Sequence, residues 1–222
     1  FTSPSRWRQP EWTVFAAEAA AVGIGALADN GLRDDVRDLR SSAADHITRT
    51  FEPLGSYGAF GVLGVFYLDG LVFRDARARN VAVDGLVASG IAAGVITPAL
   101  KFVVGRSRPR DNLGTHHFSP GSGRASFPSG HATEAFAVAG VIADSYDAGW
   151  VKALSYGTAA LVGFARIRHD AHFTTDVVAG ALIGAHVGHT VAHHNRNLRG
   201  RFSVAPLLGR NGDRGISIST SF

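Results

Sequence analysis

The chain has 222 residues, a formal net charge of +4, no cysteine and no methionine. That balance is too small to argue for a nucleic-acid partner, and without thiols there can be no disulfide, thiolate nucleophile or thiolate metal site. The length suits one domain over residues 1–222 with a sizeable core, and composition leaves both a monomer and a homo-oligomer open. The missing methionine, even at position 1, leads to the expectation of a processed or trimmed chain whose secretory signal has been removed upstream.

Phe1–Pro10 reads as a polar arm, and Glu11–Ala28 as a helix opened by Pro10 and ended by Asn30-Gly31. Leu32, Val36 and Leu39 at helical spacing predict an amphipathic helix within 32–52, followed by a break at Thr50–Ser56. Gly58–Phe73 is a strongly apolar helix, and Ala82–Val104 the next, with a kink expected at Pro98 and Asp84 in an exposed first turn. Gly105–Gly130 lacks periodicity and is long for a loop, which predicts an active-site loop; Arg110, His116, His117 and Arg124 read first as solvated loop residues and second as substrate groups. Helices are expected over His131–Asp147, Trp150–Ile167 and Asp176–His193, with Arg168–Thr174 as a turn. The tail, 201–222, alternates apolar and polar residues around Gly209–Asp213 and predicts a β-hairpin.

Pro53–Leu68 and Gly85–Leu100 carry no charged residue but stop at Asp69 and Lys101, and Val177–Asn195 contains four histidines. Rich in Ala and Gly rather than Leu, these runs read as helices buried in a soluble bundle in contact with a membrane at most by its surface. The alternative is an integral membrane protein with Arg74, Arg77 and Arg79 on a cytoplasmic loop.

Three clusters carry the chemistry: Lys101 to Arg108-Pro109, Pro128-Ser129-Gly130-His131, and Arg166 to His172 and Asp176. A phosphoryl group in transfer spreads negative charge over three oxygens, so its site needs fixed cations and N–H donors. Arg108 and Arg166 supply planar forks and Lys101 a point charge. Ser129, Gly130 and His131 precede an apolar run, so their N–H groups would point out of a helix N-terminus, where anions bind. Four residues separate His172 from Asp176, so on a helical turn the carboxylate would hold one imidazole nitrogen and leave the other to attack. His131, from a separate segment, would protonate the leaving oxygen.

The run Lys-x6-Arg-Pro, Pro-Ser-Gly-His, Arg-x5-His-x3-Asp resembles the type 2 phosphatidic acid phosphatase superfamily, which includes class A acid phosphatases and vanadium haloperoxidases. The resemblance covers roughly residues 80 to 195. It implies an all-α helical bundle of about six or more helices, here with the C-terminal hairpin added, and export to a bacterial periplasm, although many members are six-helix membrane proteins. It also implies phosphate held by Lys101, Arg108, Ser129, Gly130 and Arg166, His131 as acid, and a phosphohistidine on His172 oriented by Asp176. The family usually has Ser before the third-motif Arg; this chain has Ala165, which removes a hydroxyl contact but none of the main groups.

Taken singly, each motif residue has a structural explanation, such as an N-cap turn or a first-turn acid; the three spacings in order outweigh these. The expectation is therefore a phosphatase acting on phosphomonoesters or diphosphates, small or lipidic, such as phosphatidic acid or a prenyl diphosphate. A vanadate-dependent haloperoxidase and a non-enzymatic bundle are the competing readings. His186, His189 and His193 share one helical stripe, but no carboxylate lies at matching spacing, so no metal site and no cofactor are expected.

Overall fold

The computed structural model describes residues 9–38, 41–208 and 214–220. Most of the expected polar arm and the turn of the expected hairpin lie outside these residues. The described part is built of helices: α1 (Gln9–Gly25), α2 (Asp29–Asp38), α3 (Ser42–Phe51), a 3₁₀ turn (Glu52–Gly55), α4 (Tyr57–Val72), α5 (Ala76–Ile91), α6 (Thr97–Val104), α7 (Gly130–Ser145), α8 (Gly149–Arg168) and α9 (Thr174–Arg201). After α9 the backbone of Phe202–Leu208 pairs antiparallel with Arg214–Thr220. The family likeness reported below rests on the helical body and not on this ribbon.

Helix α7 is the centre. Val81, Ala88 and Ala92 of the α5 stretch pack with its Ala137 and Val141 and with Val187 and Val191 of α9 in one core cluster. A second cluster joins α7 to α8 through Ala135, Ala139, Ala159 and Val162. The α7–α9 contact is made by backbone. A Cβ on Gly180 would stand 2.6 Å from the Ser129 carbonyl oxygen, on Gly184 2.3 Å from that of Thr133, and on Gly188 2.3 Å from that of Ala137. Glycines four apart therefore lay one face of α9 directly on α7. This sets the two helix N-termini side by side, where Ser129 N–H donates to the Asp176 carbonyl at 2.9 Å.

Several sequence expectations are corrected. In place of one helix within 32–52 stand α2 and α3, because Ser41 accepts from Ala44 N–H and starts a new helix. The helix expected from Ala82 starts at Ala76, capped by Asp75, which accepts from Arg77 N–H at 2.7 Å; Arg77 and Arg79 are good helix formers and extend its first turn. Asp84 therefore lies mid-helix and buried, held by Arg199 and Asn195 of α9. A π-helical turn, Ala92–Ile96, precedes Pro98. It widens the backbone where the proline would otherwise meet the preceding turn, so Ala76–Val104 runs on as one helix of 29 residues.

Of the apolar runs, Val177–Asn195 packs in the core through Val187, Val191 and Ala192, but Pro53–Leu68 and Gly85–Leu100 are in large part exposed. Ala76–Val104 is long and apolar enough to cross a bilayer: its most apolar 18 residues have a mean hydropathy of 1.8, yet only 22% of them are buried. Val72 is 71% exposed, Val65 67% and Phe102 66%. Two bent pairs meet the same length and composition test: Trp12–Gly25 with Asp29–Val36, and Ser42–Gly55 with Tyr57–Val72. The apolar surplus faces outward because Gly and Ala occupy the helix–helix contacts.

Candidate active site

The N-termini of α7 and α9, the C-terminus of α6 and the 105–130 segment meet at one end of the bundle. That segment is folded rather than structureless. Gly105 ends α6 with φ +58°, Arg106 bridges to Phe118, and Pro109–Asp111 forms a 3₁₀ turn.

His172 is buried in the turn between α8 and α9. Its Nδ1 lies 2.7 Å from the Ser126 carbonyl oxygen and 3.8 Å from Asp176 Oδ2. A carbonyl only accepts, so Nδ1 carries the proton and donates it, and Nε2 keeps its lone pair. Burial pulls the His172 pKa down from 6.5 to about 4, against the opposing pull of the Asp176 carboxylate. The ring is thus a neutral base with one defined free nitrogen.

The carboxylate expected to hold His172 acts mainly through others. Asp176 accepts from Ser126 Oγ at 2.6 Å, from Phe173 N–H at 2.9 Å and from Arg106 Nη1 at 2.8 Å. Burial alone would raise its pKa; His172, Arg106 and Ser126 outweigh that and hold it below the usual carboxylate range. Ser126 is the joint, with its hydroxyl on Asp176 and its carbonyl on His172.

Arg106 is the residue that motif reading missed. Its guanidinium is buried over the Phe173 ring, 4.3 Å from the centroid, and all five N–H groups are used. Nε donates to the Thr115 carbonyl, Nη1 to Thr175 Oγ1 and Asp176, and Nη2 to Thr115 again and to Asp29 Oδ2. Asp29, the first residue of α2, also accepts from the Thr175 N–H and hydroxyl, capping α9 from 146 residues away in sequence. The available signal was an extra arginine inside a loop with little room for solvent; Asp29 had none.

Ser129 caps α7, its hydroxyl accepting from Ala132 N–H at 3.4 Å, and a Cβ on Gly130 would stand 4.0 Å from Lys101 Cε. Lys101 therefore lies over the α7 N-terminus, with Nζ donating to the Ala125 carbonyl at 2.5 Å. His131, in the first turn of α7, has its pKa lowered by burial and then by the charges of Arg108 and Lys101. The structure thus brings Lys101, Arg108, Ser129, Gly130, His131, His172 and Asp176 to one end.

Arg166 is paired with Glu52, which also meets His169 Nδ1 at 2.9 Å. Its Nε is buried without a hydrogen-bond partner, a donor still to be satisfied. Among the loop candidates, Arg124 donates to Ser107 Oγ, which in turn contacts His117 Nδ1, so these two brace the loop. His116 contacts its neighbour Thr115, and Arg110 ties the loop to Asp170 through its backbone N–H.

Buried cations, helix N–H groups, a neutral imidazole and a second imidazole from another segment form a site suited to oxyanion binding and transfer. The PAP2 superfamily model matches residues 84–199, just over half of the chain, and the chain belongs to that superfamily. It is 32% identical over 158 residues to Lipid phosphate phosphatase 2 of Arabidopsis thaliana, covering 56% of this chain and 53% of that protein. It is 33% identical over 166 residues to the Lipid A 1-phosphatase of Porphyromonas gingivalis, covering 70% of this chain and 33% of that one. The chain thus spans about half or less of these curated relatives. The crystal structure of Aquifex aeolicus LpxE aligns with a TM-score of 0.57 at 26% identity, over 73% of this chain and 93% of that one. A transmembrane PAP2-type phosphatidylglycerolphosphate phosphatase from Bacillus subtilis aligns with a TM-score of 0.63 at 23% identity, over 84% and 94%, and speaks to the fold alone.

Proposed function

We propose that the chain is a single-domain lipid phosphatase that works through a phosphohistidine, without a metal. The observation that carries this is the tautomer of His172: Nδ1–H is committed to the Ser126 carbonyl, so Nε2 is the nucleophile. In the first step Nε2 attacks phosphorus, the N–P bond forms, the bond to the leaving oxygen breaks, and that oxygen takes its proton from His131. Water then attacks phosphorus as His131 takes its proton, the new P–O bond forms, the N–P bond breaks with its electron pair returning to Nε2, and phosphate leaves. Lys101, Arg108, the Arg166 Nε–H and the N–H groups after Ser129 hold the three phosphoryl oxygens. These cations replace the charge that a metal would otherwise supply.

A lipid substrate is supported by an apolar cavity of about 530 Å³ between α4, α7 and α8, lined by Leu54, Phe66, Ala135, Ile142, Trp150 and Val162. It adjoins the acid, because a Cβ on Gly55 would stand 2.8 Å from His131 Cβ. In a bilayer, Arg74, Arg77 and Arg79 mark the end opposite the site, which by the positive-inside tendency turns His172 to the non-cytoplasmic side.

The test compares kcat/KM on a lipid phosphate in mixed micelles with that on a small soluble phosphomonoester. A preference of about 100-fold for the lipid, roughly 2.7 kcal/mol, is expected. Orthovanadate should compete with substrate, and a chelator should leave the rate unchanged. His172→Ala should lose about 10⁴-fold or more in kcat and trap no phosphoenzyme. Equal rates on both substrates would remove the lipid assignment, and activity surviving in His172→Ala would remove the mechanism.

A further inference from the structure

We propose that Asp144, His189 and His193 form a binding site for a divalent transition-metal ion at the end of the bundle opposite the catalytic histidines. Asp144 lies thirteen residues beyond His131 on α7, about 20 Å at the helical rise. The stripe expectation failed at one point, the missing carboxylate. It comes from the neighbouring helix, where no spacing along α9 would reveal it.

One ligand atom from each of the three residues lies within 4.8 Å of the others. His189 Nδ1 is 2.9 Å from Asp144 Oδ1. The His189 and His193 rings, four residues apart, stack with centroids 5.8 Å apart and 28° between planes, so both present edges to one place. His186, the third member of the stripe, points elsewhere, its Nε2 3.7 Å from Glu18. The Asp144 side chain is only 8% exposed, yet its Oδ2 makes no hydrogen bond. A buried carboxylate oxygen without a hydrogen bond, beside two imidazoles, is a donor set for zinc-like ions; magnesium and calcium prefer all-oxygen sets.

Arg196 occupies the position where the ion's charge would sit. Its Nη1 is 2.9 Å from Asp144 Oδ2 but donates to the Asp144 carbonyl oxygen at 2.7 Å. Its Nη2 lies 3.2 Å from His193 Nδ1, which must therefore be the acceptor and hold a lone pair. The arginine side chain is 51% exposed and can swing out. It acts as an exchangeable plug: a protein cation satisfies the site until a metal ion displaces it, leaving outer coordination positions for water. None of these residues belongs to the catalytic end, so phosphate release should not depend on the ion.

The experiment titrates the full untagged chain in detergent with cobalt(II), reading visible d–d absorption, and then displaces the cobalt with zinc. One equivalent per chain is expected. The signal should be lost in His189→Ala and His193→Ala, both exposed positions, and kept in His194→Ala. Arg196→Gln should bind about tenfold tighter or more, because a competing positive charge is gone. Phosphatase activity should be unchanged in all four variants. No saturable cobalt signal, a signal that survives both His189→Ala and His193→Ala, or an Arg196→Gln affinity equal to or weaker than that of the parent chain would overturn the proposal.

Discussion

The two ends of the helical body use the same chemical parts in opposite ways. At the catalytic end, Arg106 is buried with two carboxylates and two threonines, and each of its donors is taken. At the far end, Arg196 is ion-paired with a buried aspartate but stands half in solvent, and the carboxylate oxygen it faces makes no hydrogen bond. A saturated buried network fixes geometry, since removing one member strands the others. A half-exposed pair can rearrange or exchange at little cost. The first suits the orientation of a nucleophile, and the second suits reversible binding.

The largest effect that should follow from this contrast is at Arg106. Arg106→Leu leaves Asp29 and Asp176 buried without a cationic partner, and breaking such pairs typically costs about 3–5 kcal/mol. Thermal unfolding in detergent should register that loss. Arg106→Lys should recover only part of it, because an ammonium cannot reproduce the planar fork that spans both acids. A near-neutral Arg106→Leu would mean that the two acids are adequately held by threonine and serine alone, and the contrast between the ends would fail.

Helix contact comes next in size. Gly184→Val places a Cβ where the Thr133 carbonyl oxygen is 2.3 Å away, and forcing α9 from α7 should cost about 1–3 kcal/mol. Because the same contact aligns Ser129 with Asp176, kcat should fall more than KM rises. Gly64→Ala, where nothing lies within 4 Å of the new Cβ, should be neutral or stabilising by up to about 1 kcal/mol.

How much of this was legible in sequence depended on whether the partners were close along the chain. The three motif clusters were readable because each is a short contiguous segment in which spacing alone implies a shared face or turn. Arg106 lay inside one of them and passed as filler, since its partners Asp29 and Thr175 are distant in sequence. Glu52, which holds Arg166, and Asp144, which completes the histidine stripe, were invisible for the same reason. The exposed apolar surface was misread because Gly and Ala signal close helix contact and were taken as a sign of burial all round. Gly70 and Gly85 pack against neighbouring residues, whereas Val65, Leu68, Val72 and Phe102 face outward.

Electrostatics at the catalytic end gives a pH dependence with a definite sign. In the proposed mechanism His172 attacks as the neutral ring and His131 serves as the acid; the His172 pKa of about 4 then puts the acidic limb of kcat/KM near pH 4 instead of near the ordinary 6.5. His131 must be protonated to act as acid, and its pKa is lowered by burial and by Arg108 and Lys101. The basic limb should therefore fall below the ordinary imidazole value in the free enzyme. In the complex it should move up, once the phosphate offsets those cations, so kcat should persist to higher pH than kcat/KM. The stability effect of His172 follows from the same shift. The unfolded chain takes up its proton near pH 6.5 and the folded chain only near 4, so His172 lowers stability progressively as pH falls through that window. An acidic limb at pH 6.5 would show that His172 is solvated and would break the picture of a sealed catalytic end.

The smallest expected effect is at the far end. Arg196→Gln removes a guanidinium from Asp144 and His193, yet its side chain is 51% exposed and His189 Nδ1 still stands 2.9 Å from Asp144. Unfolding free energy should therefore change by no more than about 1 kcal/mol, as for other solvent-screened pairs. The result has weight because Asp144 itself is buried. A loss as large as that of Arg106→Leu would mean that Arg196 is a structural counter-ion that no metal could displace. A small loss, with Asp144 left unsatisfied and the fold intact, would mean that this end tolerates exchange of its cation, as reversible metal binding requires.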